Sequence, residues 1–203
     1  MKVELHAHTV RYSQCATLTA SDLVMSLVEQ GYDAVYITEH DAVWPEQDLA
    51  YLRRKFPWVR IFGGVERTIQ TDETHNCHIL VLGTSDEAYL KISDARVLLD
   101  TARQQGHLTV LAHPFRWSGA DKILQDGLRP DAMEWRTPNH NEEAGKESRK
   151  YSASFRLPLV NSGDVHATVM IGKFWIETNE ELNAPDDIRR IVLSGAYYNR
   201  AKM

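Results

Sequence analysis

Short apolar runs alternate with amphipathic stretches along the whole chain. Lys2–His6 reads as a strand, and Ser21–Gln30 as a helix with Thr19 or Ser21 as the candidate N-cap and Gly31 closing it. Ala34–Thr38 is a second strand, followed by a helix over Pro45–Phe56 that proline opens and that ends before Pro57. Val59–Val65 and Cys77–Leu82 read as strands, and Asp86–Gln105 as one helix with Gly106 at its end. Leu108–Ala112 is a strand, Asp121–Gln125 a short helix and Ala132–Trp135 a strand. A helix over Asn141–Phe155, a strand over Leu157–Asn161 and a last helix over Asp186–Leu193, ended by Gly195, complete the pattern. Near-continuous apolar strands separated by helices predict a parallel sheet covered by helices. Seven or eight such strands suit a barrel better than an open sheet, in a single domain spanning residues 1–203.

Composition changes this picture little. The 203 residues, 43% hydrophobic and 25% charged, suffice for one sizeable core and are ordinary for a soluble globular protein. No apolar run approaches the ~20 residues of a membrane span. The opening MKVELHAHTV lacks the apolar core of a signal peptide and is already strand-like. Two cysteines, Cys15 and Cys77, are too few for a disulfide framework, so the expected location is cytoplasmic. A net charge of -5 argues against coating duplex nucleic acid by charge alone. It leaves room for a small phosphorylated substrate, because a metal cluster brings its own positive charge. No G-x-G-x-x-G follows a strand, so nothing points to a dinucleotide.

The histidines carry the chemistry. Of nine, six are placed with the strand ends: His6 and His8 end the first strand, His40 follows the second, and His78 lies on Cys77–Leu82. His113 ends Leu108–Ala112, and His166 follows the last strong strand. Glu66, Glu134 and Asp164 occupy matching places. Because strand side chains alternate, the H-x-H pair His6/His8 points both imidazoles to one side, and Asp164-x-His166 does the same if the chain is extended there. The C-terminal rim of an α/β barrel is where catalytic groups collect. One catalytic ion takes about three or four protein ligands, so this set suits two or three ions with a bridging carboxylate. Any one of these residues alone could be a satisfied core histidine or a solvated carboxylate; their joint placement is what points to metal. His75, His107 and His140 fit no such strand end and read as loop or helix-flank residues.

In order along the chain, His6-Ala7-His8-Thr9, Thr38-Glu39-His40-Asp41, Gly64-Val65-Glu66, His78-Ile79-Leu80, His113-Pro114-Phe115-Arg116, Asp131-Ala132-Met133-Glu134 and Ser162-Gly163-Asp164-Val165-His166 resemble the motifs of the PHP (polymerase and histidinol phosphatase) superfamily. The resemblance implies a distorted, TIM-like (β/α)7 barrel holding up to three divalent ions of the Mn, Fe or Zn type. It implies a first ion on His6, His8, Glu66 and Asp164, a second on Glu66, His78 and His113, and a third on His40 and His166. Whether Glu134 is itself a ligand stays open. Many members carry an Asp or His ligand shortly after the first motif, where this chain has Tyr12-Ser13-Gln14-Cys15-Ala16. Cys15 either ligates the third ion as a thiolate or is a small buried residue beside a weak or empty third site. Cys77 points away from His78 into the core.

The implied activity is phosphate-ester hydrolysis, on a phosphomonoester or nucleotide, by a water that the ions activate. His166 or His40 is the candidate general acid, and Asp41 and Asp164 are candidate acceptors that orient imidazoles. Arg116 is placed to pair with phosphate, Arg67 less directly; a surface ion pair is the plain alternative for each. Trp44, Trp117 and Trp135 either close the barrel mouth or stack a base. Competing readings are a nuclease acting on DNA or RNA ends or damaged strands, a non-catalytic PHP module, and an amidohydrolase, which shares H-x-H but commonly uses a carboxylated lysine. No lysine ends a strand here. The substrate, the metals and the oligomeric state are not written in the sequence.

Overall fold

The computed structural model describes residues 1–202. Its strands are β1 (Lys2–Ala7), β2 (Ala34–His40), β3 (Arg60–Gln70), β4 (Asn76–Leu82), β5 (Leu108–Ala112), β6 (Ala132–Glu134), β7 (Leu159–Val160), β8 (Phe174–Thr178) and β9 (Tyr197–Ala201). The helices are α1 (Ala20–Glu29), α2 (Glu46–Lys55), α3 (Ala95–Gln105), α4 (Lys122–Gln125), α5 (Glu142–Phe155) and α6 (Asp187–Ser194). All nine strands join one sheet in the order β7-β6-β5-β4-β3-β2-β1-β8-β9.

The sheet curls into a barrel because β1 serves two neighbours on one edge. Its lower half pairs with β8, Lys2 opposite Glu177 and Val3 opposite Ile176. Its upper end instead meets the chain beyond β7: His8 N donates to Val165 O at 2.9 Å, and Val165 N donates to His6 O at 3.0 Å. The β8–β9 hairpin fills the gap below. There Tyr197 OH and Asn199 Nδ2 each donate to Leu159 O at 2.7 Å. The expected TIM-like α/β barrel is borne out, as a distorted seven-stranded barrel with an inserted hairpin.

Not every expected element holds. The sheet is not all parallel: β3 runs directly back through β4, which pairs antiparallel with both β3 and β5. A short turn joins β3 to β4, and no helix lies between them to return the chain to the bottom, so β4 must descend. His78 therefore stands near the start of a descending strand, not beyond the end of an ascending one, and reaches the same rim. The stretch Asp86–Gln105 is also not one helix. A 3-10 turn over Glu87–Lys91 is followed by extended backbone, and Asp94 caps α3 by accepting from Val97 N at 2.9 Å. Ser93 and Asp94 favour such local bonds over continuing a helix. β8 and β9 were not expected: their residues are half-exposed and mixed in polarity, so no apolar run marks them.

Burial separates the barrel into two zones. Val3, Leu5, Tyr36, Phe62, Leu80, Val110 and Val160 fill the interior in one cluster with Ile188, Ile191 and Val192 of α6, which plugs the bottom. Outside, α1 and α2 cover β1 and β2, and α3 covers β3 to β5. The apolar fill ends below the upper rim, where charged and imidazole side chains take over.

Candidate metal centre

A register shift in β1 between Glu4 and Ala7 sets the centre's first two residues. Leu5 belongs to the barrel interior, yet the extra residue lets His6 turn inward as well, followed by His8. Beyond β5, His113 takes a left-handed backbone (φ 26), and Asp164 does so beyond β7 (φ 40). Non-glycine residues in this region are strained, and such strain collects at functional sites. The Asp164-x-His166 pair thus meets through a kink and not through strand alternation. Gly163 makes the kink possible, since a Cβ there would lie 2.5 Å from Glu4 Oε2.

These folds bring all eight histidine and carboxylate candidates together. Glu66, fully buried, is the hub. Its Oε2 lies 3.2 Å from His6 Nε2, 3.3 Å from His8 Nε2 and 2.8 Å from His40 Nδ1. Its Oε1 lies 2.7 Å from His78 Nδ1 and 2.9 Å from His113 Nε2. Asp164 Oδ1 is 3.4 Å from the Nε2 atoms of both His6 and His8. His40 Nε2 and His166 Nε2 face each other at 3.4 Å.

Partners on the far side of three of the rings assign their tautomers. Glu134 Oε1 accepts from His6 Nδ1 at 2.9 Å, and its other oxygen accepts from His113 N at 2.6 Å. Glu134 thus spends both oxygens on the protein and supports its neighbours from behind. Ser13 donates to Glu39 at 2.6 Å, so its oxygen accepts from His8 Nδ1 at 3.3 Å. His166 Nδ1 donates to Asp164 O at 3.0 Å. Each of these rings is left with Nε2 turned to the centre, the arrangement of a ligating imidazole held by an outer partner.

The fit to cations rests on four atoms. His6 Nε2, His8 Nε2, Glu66 Oε2 and Asp164 Oδ1 are buried without a hydrogen-bond partner, and they converge on one another. They are one atom from each residue of the first ligand set. Burying a carboxylate costs several kcal/mol unless positive charge compensates it, and Glu66, Asp164 and Glu134 are all buried here. Burial alone would raise these carboxyls, but His6 opposite overcomes it and holds Glu66 and Asp164 well below the usual carboxylate range. Burial likewise would lower His6, and Asp164, Glu66 and Glu134 instead raise it well above an ordinary imidazole. Burial pushes His8 down to about 3. The centre demands positive charge, which divalent cations would supply.

The other candidates differ in place. Cys15 is exposed and lines the cavity over the centre with His40 and His166, but it belongs to none of the ligand-sized groups among the described residues. Asp41 does not orient an imidazole; its carboxylate binds the Arg67 guanidinium and Thr68 N. Arg67 is correspondingly turned away from the mouth, donating also to Ile92 O at 3.0 Å. Arg116 does face the mouth, 3.8 Å from Asp164 Oδ2. With His40, His166, Asn139 and Trp117 it lines a cavity of about 370 Å³ over the centre. Trp44 is buried and donates to Glu39 at 2.9 Å, while Trp135 lies under Arg149 at 4.7 Å. His107 meets Asp186, and His140 meets Trp135 O, both away from the centre.

Sequence reasoning missed two supports. Glu39 is fully buried and binds Thr9, Ser13 and Trp44, so it fixes the loop behind His8. Its signal was a carboxylate at an outward-facing strand position that helices cover. Asn139 donates to Asp164 Oδ2 at 2.6 Å, from a loop that no spacing marks.

No family model matches the sequence, and no curated protein matches it. Solved structures do. A two-domain protein from Bacteroides vulgatus, containing a predicted PHP-like metal-dependent phosphoesterase, superposes with a TM-score of 0.74 at 16% identity, over 99% of this chain and 64% of that one. The chain shares the fold of that PHP-like protein. It also superposes on an amidohydrolase from Chromobacterium violaceum, solved with sulfate and without metal (TM-score 0.66, 15% identity, 98% of each chain). A third match is a lesion-specific endonuclease from Pyrococcus furiosus (TM-score 0.65, 15% identity, 98% of this chain and 57% of that one). The chain thus spans less than two thirds of two of these three proteins.

Proposed function

We propose that this chain is a metal-dependent hydrolase of the PHP superfamily that cleaves phosphate esters, namely a phosphomonoester or nucleotide. The observation that carries the reading is the convergence of four buried, unpartnered donor atoms from His6, His8, Glu66 and Asp164 under a cavity that Arg116 lines. His78, His113, His40 and His166 complete the set for two to three ions. When bound, such ions supply a water acidified to near neutral pH and neutralise charge on phosphoryl oxygens.

The chain's own residues supply the rest. Glu134, Ser13 and the Asp164 carbonyl hold ligand rings in the right tautomer. Arg116 pairs with a phosphoryl oxygen, held against Trp117 with its guanidinium 4.5 Å from the ring. His40 and His166 both line the cavity, and either is placed to hand a proton to the leaving oxygen if a cation does not hold it. Arg116→Ala is expected to raise KM for a phosphomonoester and to leave metal content intact; steady-state kinetics and elemental analysis check this.

The endonuclease and amidohydrolase neighbours define the rival chemistries. Against a nuclease, the short basic runs Arg53-Arg54-Lys55 and Arg189-Arg190 lie on helices, and three of their five residues are already paired: Arg53 with Glu46, Arg189 with Asp131 and Arg190 with Glu180. The deciding experiment measures metals in protein purified without chelator and screens phosphomonoesters, phosphodiesters, oligonucleotides and amides. Two to three metals per chain, with phosphoester turnover lost in His8→Ala, support the reading. Fewer than two metals with no phosphoester cleaved would overturn it in favour of a non-catalytic module.

A further inference from the structure

Beside the cavity over the centre lies a second one of about 420 Å³, lined by Thr74, His75, Asn76, His78, Trp117 and Ser118. His78 and Trp117 line both, so the two cavities share a wall. The second cavity therefore lies next to the one over the centre.

Both walls are held in place. On one side, Asp72 accepts from Thr74 N at 2.8 Å, from His75 N at 3.0 Å and from His75 Nδ1 at 2.9 Å. Lys122 Nζ braces its other oxygen at 2.9 Å. On the other side, Gly119 lies flat on the His75 ring at φ +80, where a Cβ would stand 2.6 Å from Cγ. Trp117 is wedged against the imidazoles of His78 and His113, with centroids 5.2 and 5.1 Å away. Its indole is nevertheless 45% exposed.

The chemistry of the lining is specific. None of the six residues carries a permanent charge. They offer two hydroxyls, one amide and two imidazoles beside an indole that stays partly exposed although the Arg116 guanidinium lies 4.5 Å from its ring. We infer that this cavity is the subsite for the leaving-group side of the ester, and that it takes a planar, uncharged ring with hydrogen-bonding edges. The ring stacks on Trp117, and Asn76, Ser118 and Thr74 meet its edge. An aliphatic substituent would forgo the stacking on Trp117. This inference rests on the phosphoesterase reading above.

The test compares adenosine 5′-monophosphate with ribose 5-phosphate on metal-loaded protein. The two share the sugar and the leaving oxygen, so any difference reads the ring. Stacking of one ring on an aromatic side chain corresponds to about a tenfold effect or more. The expected result is a kcat/KM at least about tenfold higher for the ring-bearing ester. That advantage should be largely lost in Trp117→Ala, kept in Trp117→Phe and reduced in Asn76→Ala, an exposed position, with metal content measured in each. Equal kcat/KM for the two esters would overturn the subsite while the phosphoesterase reading stands. So would an advantage that survives Trp117→Ala. If neither ester is cleaved, calorimetry decides the subsite: tighter binding of the ring-bearing ester supports it, and equal affinity overturns it, while the phosphoesterase reading is decided by the broader screen above.

Discussion

Glu134 shows how much of the centre depends on atoms behind the ligands. It accepts from His6 Nδ1, His113 N and the Ser162 hydroxyl, so it fixes one ring and the strained backbone under another. Glu134→Gln keeps the shape but removes the charge and one acceptor. Outer partners of this kind typically matter 10- to 100-fold, so roughly that loss of metal affinity is expected, read by competition with a chelator. Glu4 makes a different prediction. It is fully buried, its Oε1 accepts from His6 N and Gly163 N, and burial pushes it up to about 8. A raised carboxyl favours the fold while protonated. Its contribution is therefore complete below the unfolded value of 4.5 and is lost as pH rises through about 8. Across that window stability should fall by roughly 1.4 kcal/mol per pH unit on its account. Urea unfolding of Glu4→Gln should show that slope flattened, with the variant gaining on the parent at pH 8.5 and not at pH 4.5. An unchanged slope would show that Glu4 is not the group responsible.

Among the elements, β1, β4 and α3 each illustrate a different limit. H-x-H spacing sent His6 and His8 to one face, and that held. The same alternation would have placed Leu5 on the opposite face from His6, and only the bulge lets both enter the barrel. No residue of Lys2–Ala7 announces a bulge, because it arises from pairing with β2. β4 looks like its parallel neighbours for a related reason: a strand buried on both faces is apolar in either direction. Its direction was legible only in the short, polar Thr71–His75 link, which leaves no room for a crossover helix. The cap of α3 was legible in Ser93-Asp94 and was outweighed by the helical pattern around it. Asp94→Ala removes the acceptor for Val97 N and should cost about 1 kcal/mol in denaturant unfolding with the m-value unchanged.

For the molecule as a whole, closing the barrel gathers residues from His6 to His166 around Glu66. The upper seam is only the pair of bonds between β1 and Val165, next to two candidate ligands. Cations in the centre would therefore tie the seam as well as carry chemistry. At a hundredfold excess over Kd, a ligand bound only to the fold adds about 2.7 kcal/mol. For a chain of this size that corresponds to about 5–10 °C in Tm. Chelation should lower Tm by that order, and Mn²⁺ or Zn²⁺ should restore it, in calorimetric scans. A Tm indifferent to chelator would mean that the buried donors are satisfied without metal.

The sequence by itself determined the alternation of strands and helices, the barrel class and the identity of the eight histidines and carboxylates at its mouth. Those features are local: strand periodicity, caps, and imidazoles placed just past apolar runs. Only the tertiary structure decided which way β4 runs, how β1 changes face, and how the β8–β9 hairpin fits below the seam. It also decided that Glu39, Glu134 and Asn139 stand behind the ligands, while Asp41 and Arg67 pair with each other outside. The reason is the same in each case. Hydrogen-bond partners and strand neighbours lie far apart in the chain, 128 residues for His6 and Glu134, and no local pattern encodes a contact that exists only once the barrel has closed.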